Sequence, residues 1–371
     1  MLDDLKIAIV CDWLTVFAGA ERVVYELSRL FPKATIYTSL FDDKNCAAFK
    51  DRNVVESWLR YMPFARRFHR LYLPFMPLVF ERIDLSEYDI VISSSHSASK
   101  GIITKPGTLH ISYCHSPMRY VWDQSHSYQK NFRSFLPLKF LYSPILHRIR
   151  QWDRVAADRV DRYISNSKYI SKRIKKYYKR DSTVIYPPVN LDFFRPSKNR
   201  EDYYLAVGRL IPYKRFDLLV SVFNELKLPL IIVGDGPDSN ELKKMANSNI
   251  KFLGKISDDE LKNIYSSAKA LIFPQVEDFG IVPLEAMASG TPVIAYSKGG
   301  AMESVTEGVS GIFFHEQNEV ELKKAIEKFE KMDWNTDEIV KSVNKFSPAR
   351  FRVEILHFME KAWKEHKKML V

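Results

Sequence analysis

Short apolar runs, each ending in a turn and followed by a helical stretch, recur along most of the chain. The first is Lys6-Ile-Ala-Ile-Val-Cys11, which ends at Asp12. A run this short, with no polar alternation, predicts a strand buried on both faces. Gly19 to Leu30 then carries apolar residues at helical spacing: Val23, Val24, Leu27 and Leu30. Further strands are predicted at Ala34–Thr38, Ile90–Ser93, Leu109–Cys114 and Arg162–Asn166, and Ser167 is placed to cap a helix reaching Tyr178. The second half repeats the scheme at Tyr203–Val207, Pro229–Val233, Ile250–Leu253, Ala270–Phe273, Pro292–Ala295 and Gly311–Phe314, with helical segments between most of them. Ser257-Asp-Asp-Glu260 fits a capping box. Strand–helix alternation of this length predicts the α/β class, with parallel sheets covered by helices on both faces.

One segment breaks the rhythm. Tyr186-Pro-Pro-Val-Asn-Leu-Asp-Phe-Phe-Arg-Pro196 holds three prolines and can continue neither a helix nor a central strand. It divides the chain into an amino-terminal domain, 1–185, and a second domain, 186–346. A final segment, 347–371, opens with Ser347-Pro348, with Pro at the first helical position. Phe351, Ile355, Phe358, Met359 and Ala362 line one face of that helix. The face needs a partner, and a hinge near Phe346 would return it to the first domain. The length of 371 residues suits two domains, and both halves read as Rossmann-like. Ligands of open α/β sheets bind beyond the carboxyl ends of the strands. The expected site is therefore a cleft between the domains, lined by residues just after each strand.

Composition narrows the class. Hydrophobic residues at 46% and charged residues at 27% exclude a disordered chain, a collagen and a disulfide scaffold. Cys11, Cys46 and Cys114 lie far apart, which argues for a reducing compartment. The start, Met1-Leu-Asp-Asp-Leu-Lys, carries acids where a secretory leader needs bases, and the expected location is cytoplasmic. The longest apolar stretch, Leu71–Phe80, is too short to span a bilayer and holds two prolines. The net charge of +11 is concentrated: residues 128–180 hold 15 bases and 3 acids, whereas 181–345 hold 20 and 25. A solvated helix face is the plain explanation of a charge run. The one-sidedness of this segment points instead to an anionic partner surface. Nucleic acid is a poor match, because no recognisable binding module accompanies the bases.

Three loops after strands carry candidate chemistry. After Ala270–Phe273 comes Pro274-Gln-Val-Glu277-Asp-Phe-Gly-Ile-Val-Pro-Leu-Glu285. Gly280 permits close backbone approach, Pro283 suits a first helical turn, and Glu285 lies near the helix start. A helix start with free N–H groups is an anion site, and a carboxylate beside it suits sugar hydroxyls. After Tyr203–Val207 comes Gly208-Arg209-Leu-Ile-Pro-Tyr-Lys214-Arg215, whose two spaced bases suit a diphosphate. After Leu109–Cys114 comes His115, able to hydrogen-bond a substrate or to act near neutral pH. Phe17-Ala-Gly19-Ala-Glu21-Arg22 and Ser93-Ser-Ser-His96-Ser-Ala-Ser-Lys100-Gly101 occupy equivalent places. The sequence has no P-loop, no Asp-x-Asp for a divalent ion, no zinc motif and no nucleophile elbow. Gly234-Asp-Gly236-Pro-Asp-Ser239 is a poor dinucleotide fingerprint.

Taken together these residues resemble a known family. Glu277-x7-Glu285 in its setting, Gly208-Arg209 with Lys214, Gly234-Asp-Gly236-Pro, Gly299-Gly300-Ala-Met-Glu303 and Ala18-Gly-Ala-Glu-Arg22 are similar to the retaining glycosyltransferases of family 4, which have the GT-B fold. Tyr113-Cys-His115-Ser-Pro-Met-Arg-Tyr and the Ser93–Gly101 loop resemble the branch of bacterial polysaccharide mannosyltransferases. The resemblance implies two Rossmann-like domains facing a cleft, a nucleotide-sugar donor (GDP-mannose on the branch likeness) and a lipid-linked glycan acceptor on the first domain. It implies that Arg209 and Lys214 neutralise the diphosphate and that Glu285 holds the ribose. Glu277 and the backbone N–H groups of Phe279, Gly280, Ile281 and Val282 would hold the sugar. His115 would sit near the reacting carbon, and Gly19 would let its loop approach the diphosphate. No metal or other cofactor is expected. Ala18 and Arg215 depart from the family, which often has Gly at both places. A phosphorylase or a sugar-nucleotide epimerase on the same fold is the alternative activity. Phe64-Ala-Arg-Arg-Phe-His-Arg-Leu-Tyr-Leu-Pro-Phe-Met-Pro and the stretch 132–142 mix bases with aromatics, as segments at a lipid interface do. Peripheral binding to the anionic inner face of the cell membrane is the resulting expectation.

Overall fold

The computed structural model describes residues 2, 4–123, 125, 139–197 and 199–370. The chain divides into two units, Met1–Pro188 with Ala349–Val371, and Val189–Pro348. The first contains β1 (Ile7–Cys11), α1 (Gly19–Leu30), β2 (Thr35–Thr38), β3 (Val54–Glu56), α2 (Met76–Glu81), β4 (Ile90–Ser95), β5 (Leu109–Cys114), α3 (Lys139–Asp158), β6 (Arg162–Ser165), α4 (Lys168–Tyr178) and β7 (Ser182–Val184). The second contains β8 (Tyr204–Val207), α5 (Phe216–Leu226), β9 (Leu230–Val233), α6 (Ser239–Met245), β10 (Ile250–Gly254), α7 (Asp258–Ser267), β11 (Ala270–Phe273), α8 (Ile281–Ala288), β12 (Val293–Tyr296), α9 (Ala301–Ser304), β13 (Gly311–Phe314), α10 (Glu319–Glu330) and α11 (Thr336–Ser342). A last helix, α12 (Pro348–Leu370), belongs to the first unit from Ala349 onward.

Each unit is built on one sheet with every pairing parallel. The first sheet runs β3-β2-β1-β4-β5-β6-β7 and the second β10-β9-β8-β11-β12-β13. Both therefore begin in the doubly wound order, with the winding reversed between the first and fourth strands of the unit. Those reversals, β1 beside β4 and β8 beside β11, are where such sheets open a crevice at their carboxyl ends. In the second sheet the opening is visible in the register. β8 and β11 pair only at Tyr204↔Ala270 and Leu205↔Leu271, and part before their last residues.

Burial on both faces explains why the strands read as uninterrupted apolar runs. Ile7, Ile9, Ile90 and Ile92 pack with Val23, Val24 and Leu27 of α1 and with Phe351, Ile355 and Met359 of α12. The alternate residues Ala8, Val10 and Val91 face Met76, Val79 and Phe80 of α2 and Leu146 and Ile149 of α3. In the second unit Tyr204, Ala206 and Ile232 pack with α5 and α10. The predicted caps form: Ser167 Oγ accepts the Ile170 N–H at 3.1 Å, and Ser257 and Glu260 cap α7 reciprocally. The three-residue strands β3 and β7 and the helix α3 have no counterpart among the predicted elements. The two strands are edges whose side chains are partly or fully exposed, so no apolar run marks them.

Candidate functional site

The second unit gathers its candidate residues at the β8–β11 reversal. Gly208 follows β8 at φ 155°, a conformation that side chains rarely adopt, and the next loop turns back so that the Lys214 ammonium lies across it, 3.0 Å from where a Cβ at Gly208 would stand. Lys214 Nζ is 3.2 Å from Glu277 Oε1, which comes from the loop after β11. Both side chains are largely enclosed, so the pair is stronger than a surface ion pair. Arg209 is exposed beside them, with no ion pair among the described residues. Arg215 is not an additional free base, because its guanidinium is engaged by Asp217 and by the Gln317 carbonyl. Its φ of 58° is the left-handed conformation that glycine takes without cost, which accounts for the glycine common at this place in the family.

Glu277 leads into the start of α8. Gly280 precedes that helix with φ 85°, and no side chain caps it. The N–H groups of its first turn are therefore open to a ligand, with the positive end of the helix dipole behind them. Phe279 is buried, with its ring edge-on to Phe346 at 5.6 Å. Gly300 locks the loop from the far side: its N–H donates to the Glu277 carbonyl at 2.9 Å, and a Cβ there would stand 2.3 Å from the Phe279 backbone. Ile281 and Val282 form the first turn, and Pro283 follows them. Glu285 lies one turn into α8, buried, and accepts the Tyr265 hydroxyl of α7 at 3.2 Å. Gly208, Arg209, Lys214, Glu277, Phe279, Gly280, Ile281, Val282 and Glu285 thus belong to two neighbouring strand-end loops and the helix that one of them feeds.

His115 and Gly19 belong to the first unit. Gly19 is the first residue of α1, after Ala18 in extended backbone at φ −130°, a conformation that does not require glycine. His115 follows β5, and its Nε2 is 2.8 Å from Ser94 Oγ. Burial, reinforced by the neighbouring His96, pushes its pKa down to about 3. A lowered pKa keeps the imidazole neutral near neutral pH, a state that suits hydrogen bonding. The residue the sequence reading passed over is Asp12, at the β1–β4 reversal. Its buried carboxylate accepts four backbone N–H groups, from His96, Ser97, Ala98 and Ser99, at 2.7 to 2.9 Å. An acid directly after the first strand of a doubly wound sheet was the available signal.

The basic–aromatic segment of the first unit is exposed. Tyr61, Phe64, Phe68, Leu71, Phe75 and Leu78 all present their side chains to solvent, Phe64 with 76% of its surface free. Arg60, Arg66, Arg67 and Arg70 are exposed among them. Core packing therefore does not explain these aromatics. Of the second such stretch, residues 132–138 lie outside the described residues. Among the described residues no helix is long and apolar enough to cross a membrane, and no group of three or more His, Cys, Asp or Glu side chains is arranged to hold a metal ion.

Known proteins match this chain in sequence and in fold. Residues 17–193 match the family model Glycosyltransferase Family 4, and residues 190–346 match Glycosyl transferases group 1. The O-antigen chain mannosyltransferase RfbU of Salmonella typhimurium is 31% identical over 191 residues, 48% of this chain and 54% of that protein. The alpha-1,3/1,6-mannosyltransferase ALG2 of Mus musculus is 25% identical over 363 residues, 84% of each chain. The relatives matched at 31–32% identity over more than 180 residues are thus covered over about half their length. Anabaena HepE, solved in complex with UDP and glucose, has the same fold, with a TM-score of 0.68 at 18% identity over 96% of this chain and 99% of that one. With the two models together spanning residues 17–346, the chain belongs to the glycosyltransferases of the GT-B fold, a family 4 domain joined to a group 1 domain.

Proposed function

We propose that the chain is a retaining hexosyltransferase that moves mannose from GDP-mannose onto a lipid-linked glycan or polysaccharide precursor, at the cytoplasmic face of the cell membrane and without a metal ion. The observation that carries this reading is the enclosed Lys214–Glu277 pair beside the uncapped start of α8. A diphosphate arriving there gains the Lys214 ammonium and the exposed Arg209 guanidinium. Charge-assisted hydrogen bonds of this kind are each worth about 1.5–3 kcal/mol. Two bases and a helix start thereby take the part that a divalent ion plays elsewhere. As the C1–O bond to the diphosphate breaks, the electron pair leaves with the diphosphate, and these groups meet the charge that develops. Glu277, released in part from Lys214, and the N–H groups of Gly280 to Val282 hold the hexose. Glu285, oriented by the Tyr265 hydroxyl, holds the ribose. His115 offers a neutral imidazole to the sugar. Retention follows if the acceptor oxygen reaches C1 on the face the diphosphate leaves, within a short-lived ion pair.

Mannose is supported by the mannosyltransferases among the relatives, and a nucleotide sugar by the UDP-bound structures that share the fold. Lipid at the acceptor is supported by the exposed aromatics and arginines of residues 60–78. A panel of nucleotide sugars, scored by thermal shift and by donor consumption, tests the reading, because a bound donor raises stability by mass action. GDP-mannose is expected to give the largest shift and to be consumed in EDTA without inorganic phosphate. Donor release only on addition of phosphate contradicts it in favour of a phosphorylase, and loss of turnover in EDTA contradicts the metal-free account.

A further inference from the structure

The Gly234-Asp-Gly236-Pro237 motif after β9 has no part in the site described above, and none of its side chains is basic. It lies instead against the loop that carries Arg209. The pairing of β8 with β9 continues past the strand ends. The Gly208 N–H donates to the Val233 carbonyl at 2.9 Å, and the Leu210 N–H donates to the Asp235 carbonyl at 3.0 Å. The Asp238 N–H then closes on the Leu210 carbonyl at 3.2 Å. The residues on both sides of Arg209 are thus bound to one loop, while the Arg209 side chain itself is exposed. Leu210 is anchored a second time, by burial of its side chain in the core of the second unit.

Two missing side chains allow this approach. A Cβ at Gly234, where φ is 129°, would overlap the Gly208 carbonyl, and a Cβ at Gly236 would overlap the Leu210 carbonyl. The obstructing atoms are backbone at both places, so no flexible side chain can yield. The Asp235 carboxylate accepts the Gly236 N–H at 2.8 Å and holds the turn. The Gly234 N–H donates to the Gly254 carbonyl at 2.8 Å, so the end of β10 backs the loop in turn. The brace is one-sided, because on its other edge β8 leaves β11 after Leu205↔Leu271. An exposed arginine loses rotamers when it grips an anion, and a mobile backbone adds to that cost. Pinning the chain on both sides of Arg209 removes the second part.

We propose that the loop 234–238 is a positioning element for the diphosphate: it holds the backbone at Arg209 so that the guanidinium meets the anion without reordering of its loop. The inference rests on the transferase reading above, in which Arg209 meets the diphosphate. The loop touches no phosphate itself and acts only through Arg209. Its glycines are there for contact between two backbones, not for contact with a ligand.

The test is a binding cycle on the full chain, with GDP as the probe, UDP as the alternative probe, and Tm recorded for each protein. Arg209→Ala is expected to weaken binding about 10- to 100-fold, the scale of a lost charge-assisted hydrogen bond. Gly236→Ala, which forces the two loops apart, is expected to weaken it about tenfold alone and less than about twofold when added to Arg209→Ala. Gly308→Ala is the control for general destabilisation, since a Cβ there meets open space at φ 78°. It is expected to lower Tm and leave Kd unchanged. Should Gly236→Ala not fold, Asp238→Pro replaces it. That change deletes the N–H bound to Leu210 at a φ of −83°, which proline accepts, and is expected to show the same dependence on Arg209. Two results overturn the inference: a Kd within about twofold of wild type in Gly236→Ala, or an equal loss with and without Arg209. Binding of neither GDP nor UDP by wild type is a different failure, that of the transferase reading itself.

Discussion

Three imidazoles of the first unit are kept neutral by the fold, and they tie its stability to pH. His110 is fully buried, with Nε2 2.9 Å from Ser93 Oγ, and burial pushes its pKa down to about 3. His115 is lowered to about 3 and His69 to about 4, again chiefly by burial. In the unfolded chain each takes a proton near pH 6.5. Between that pH and the folded values the unfolded state binds more protons, so stability rises with pH and is withdrawn on acidification. For His110 the slope is up to about 1.4 kcal/mol per pH unit below 6.5. Glu21 works in the opposite sense, because burial raises its pKa, so its contribution improves as pH falls. With three lowered histidines against two raised acids, Glu21 and Asp238, Tm is expected to drop between pH 7 and pH 5. His110→Gln is expected to make that drop shallower, whatever it does to Tm at neutral pH. A Tm independent of pH over this range, or an unchanged slope in the variant, contradicts the account.

At the scale of elements, the start of α8 is set by two glycines with different tasks. Gly280 supplies a left-handed residue at φ 85°, where a side chain costs about 1–2 kcal/mol. Gly300 supplies room for the Phe279 backbone. Gly280→Ala is expected to lower Tm by a few degrees. It is also expected to weaken GDP-mannose binding about tenfold, because the first-turn N–H groups move with the helix start. Calorimetric titration at unchanged Tm and Kd would show that the loop tolerates the side chain. The legibility of elements follows from burial. β5, β11, β13, α1 and α4 occupy the residues the sequence predicts because both faces of the strands, or one stripe of the helices, are apolar. β3 and β7 escape because an edge strand with exposed side chains has no such stripe. The loop acids and bases of the second unit are legible because residue type and strand-end position coincide at Lys214 and Glu277. Asp12 is not, because a carboxylate that binds backbone N–H groups leaves no pattern in the residues it binds.

For the whole molecule the charge is not distributed as the chemistry is. The strand-end loops of the second unit carry a few placed bases within an acidic half, whereas α4 exposes Lys168, Lys172, Lys175 and Lys176 along one helix of the first unit. The exposed aromatics and arginines of residues 60–78 belong to the same unit. Each Lys or Arg near an anionic leaflet contributes about 1 kcal/mol before screening. Vesicles with anionic lipid are therefore expected to float the protein at low salt, with release as salt rises, and Phe64→Asp with Phe68→Asp is expected to reduce binding. Equal flotation with neutral vesicles rejects the electrostatic version.

The central claim is that the Lys214–Glu277 pair at the head of α8 handles a nucleotide sugar. Its most direct test is the rate of GDP release from GDP-mannose by wild type, Lys214→Ala and Glu277→Ala, with Tm recorded for each. The account predicts turnover by wild type, loss of at least about 100-fold in both variants, and folded proteins throughout. Near-normal turnover in Glu277→Ala would contradict it.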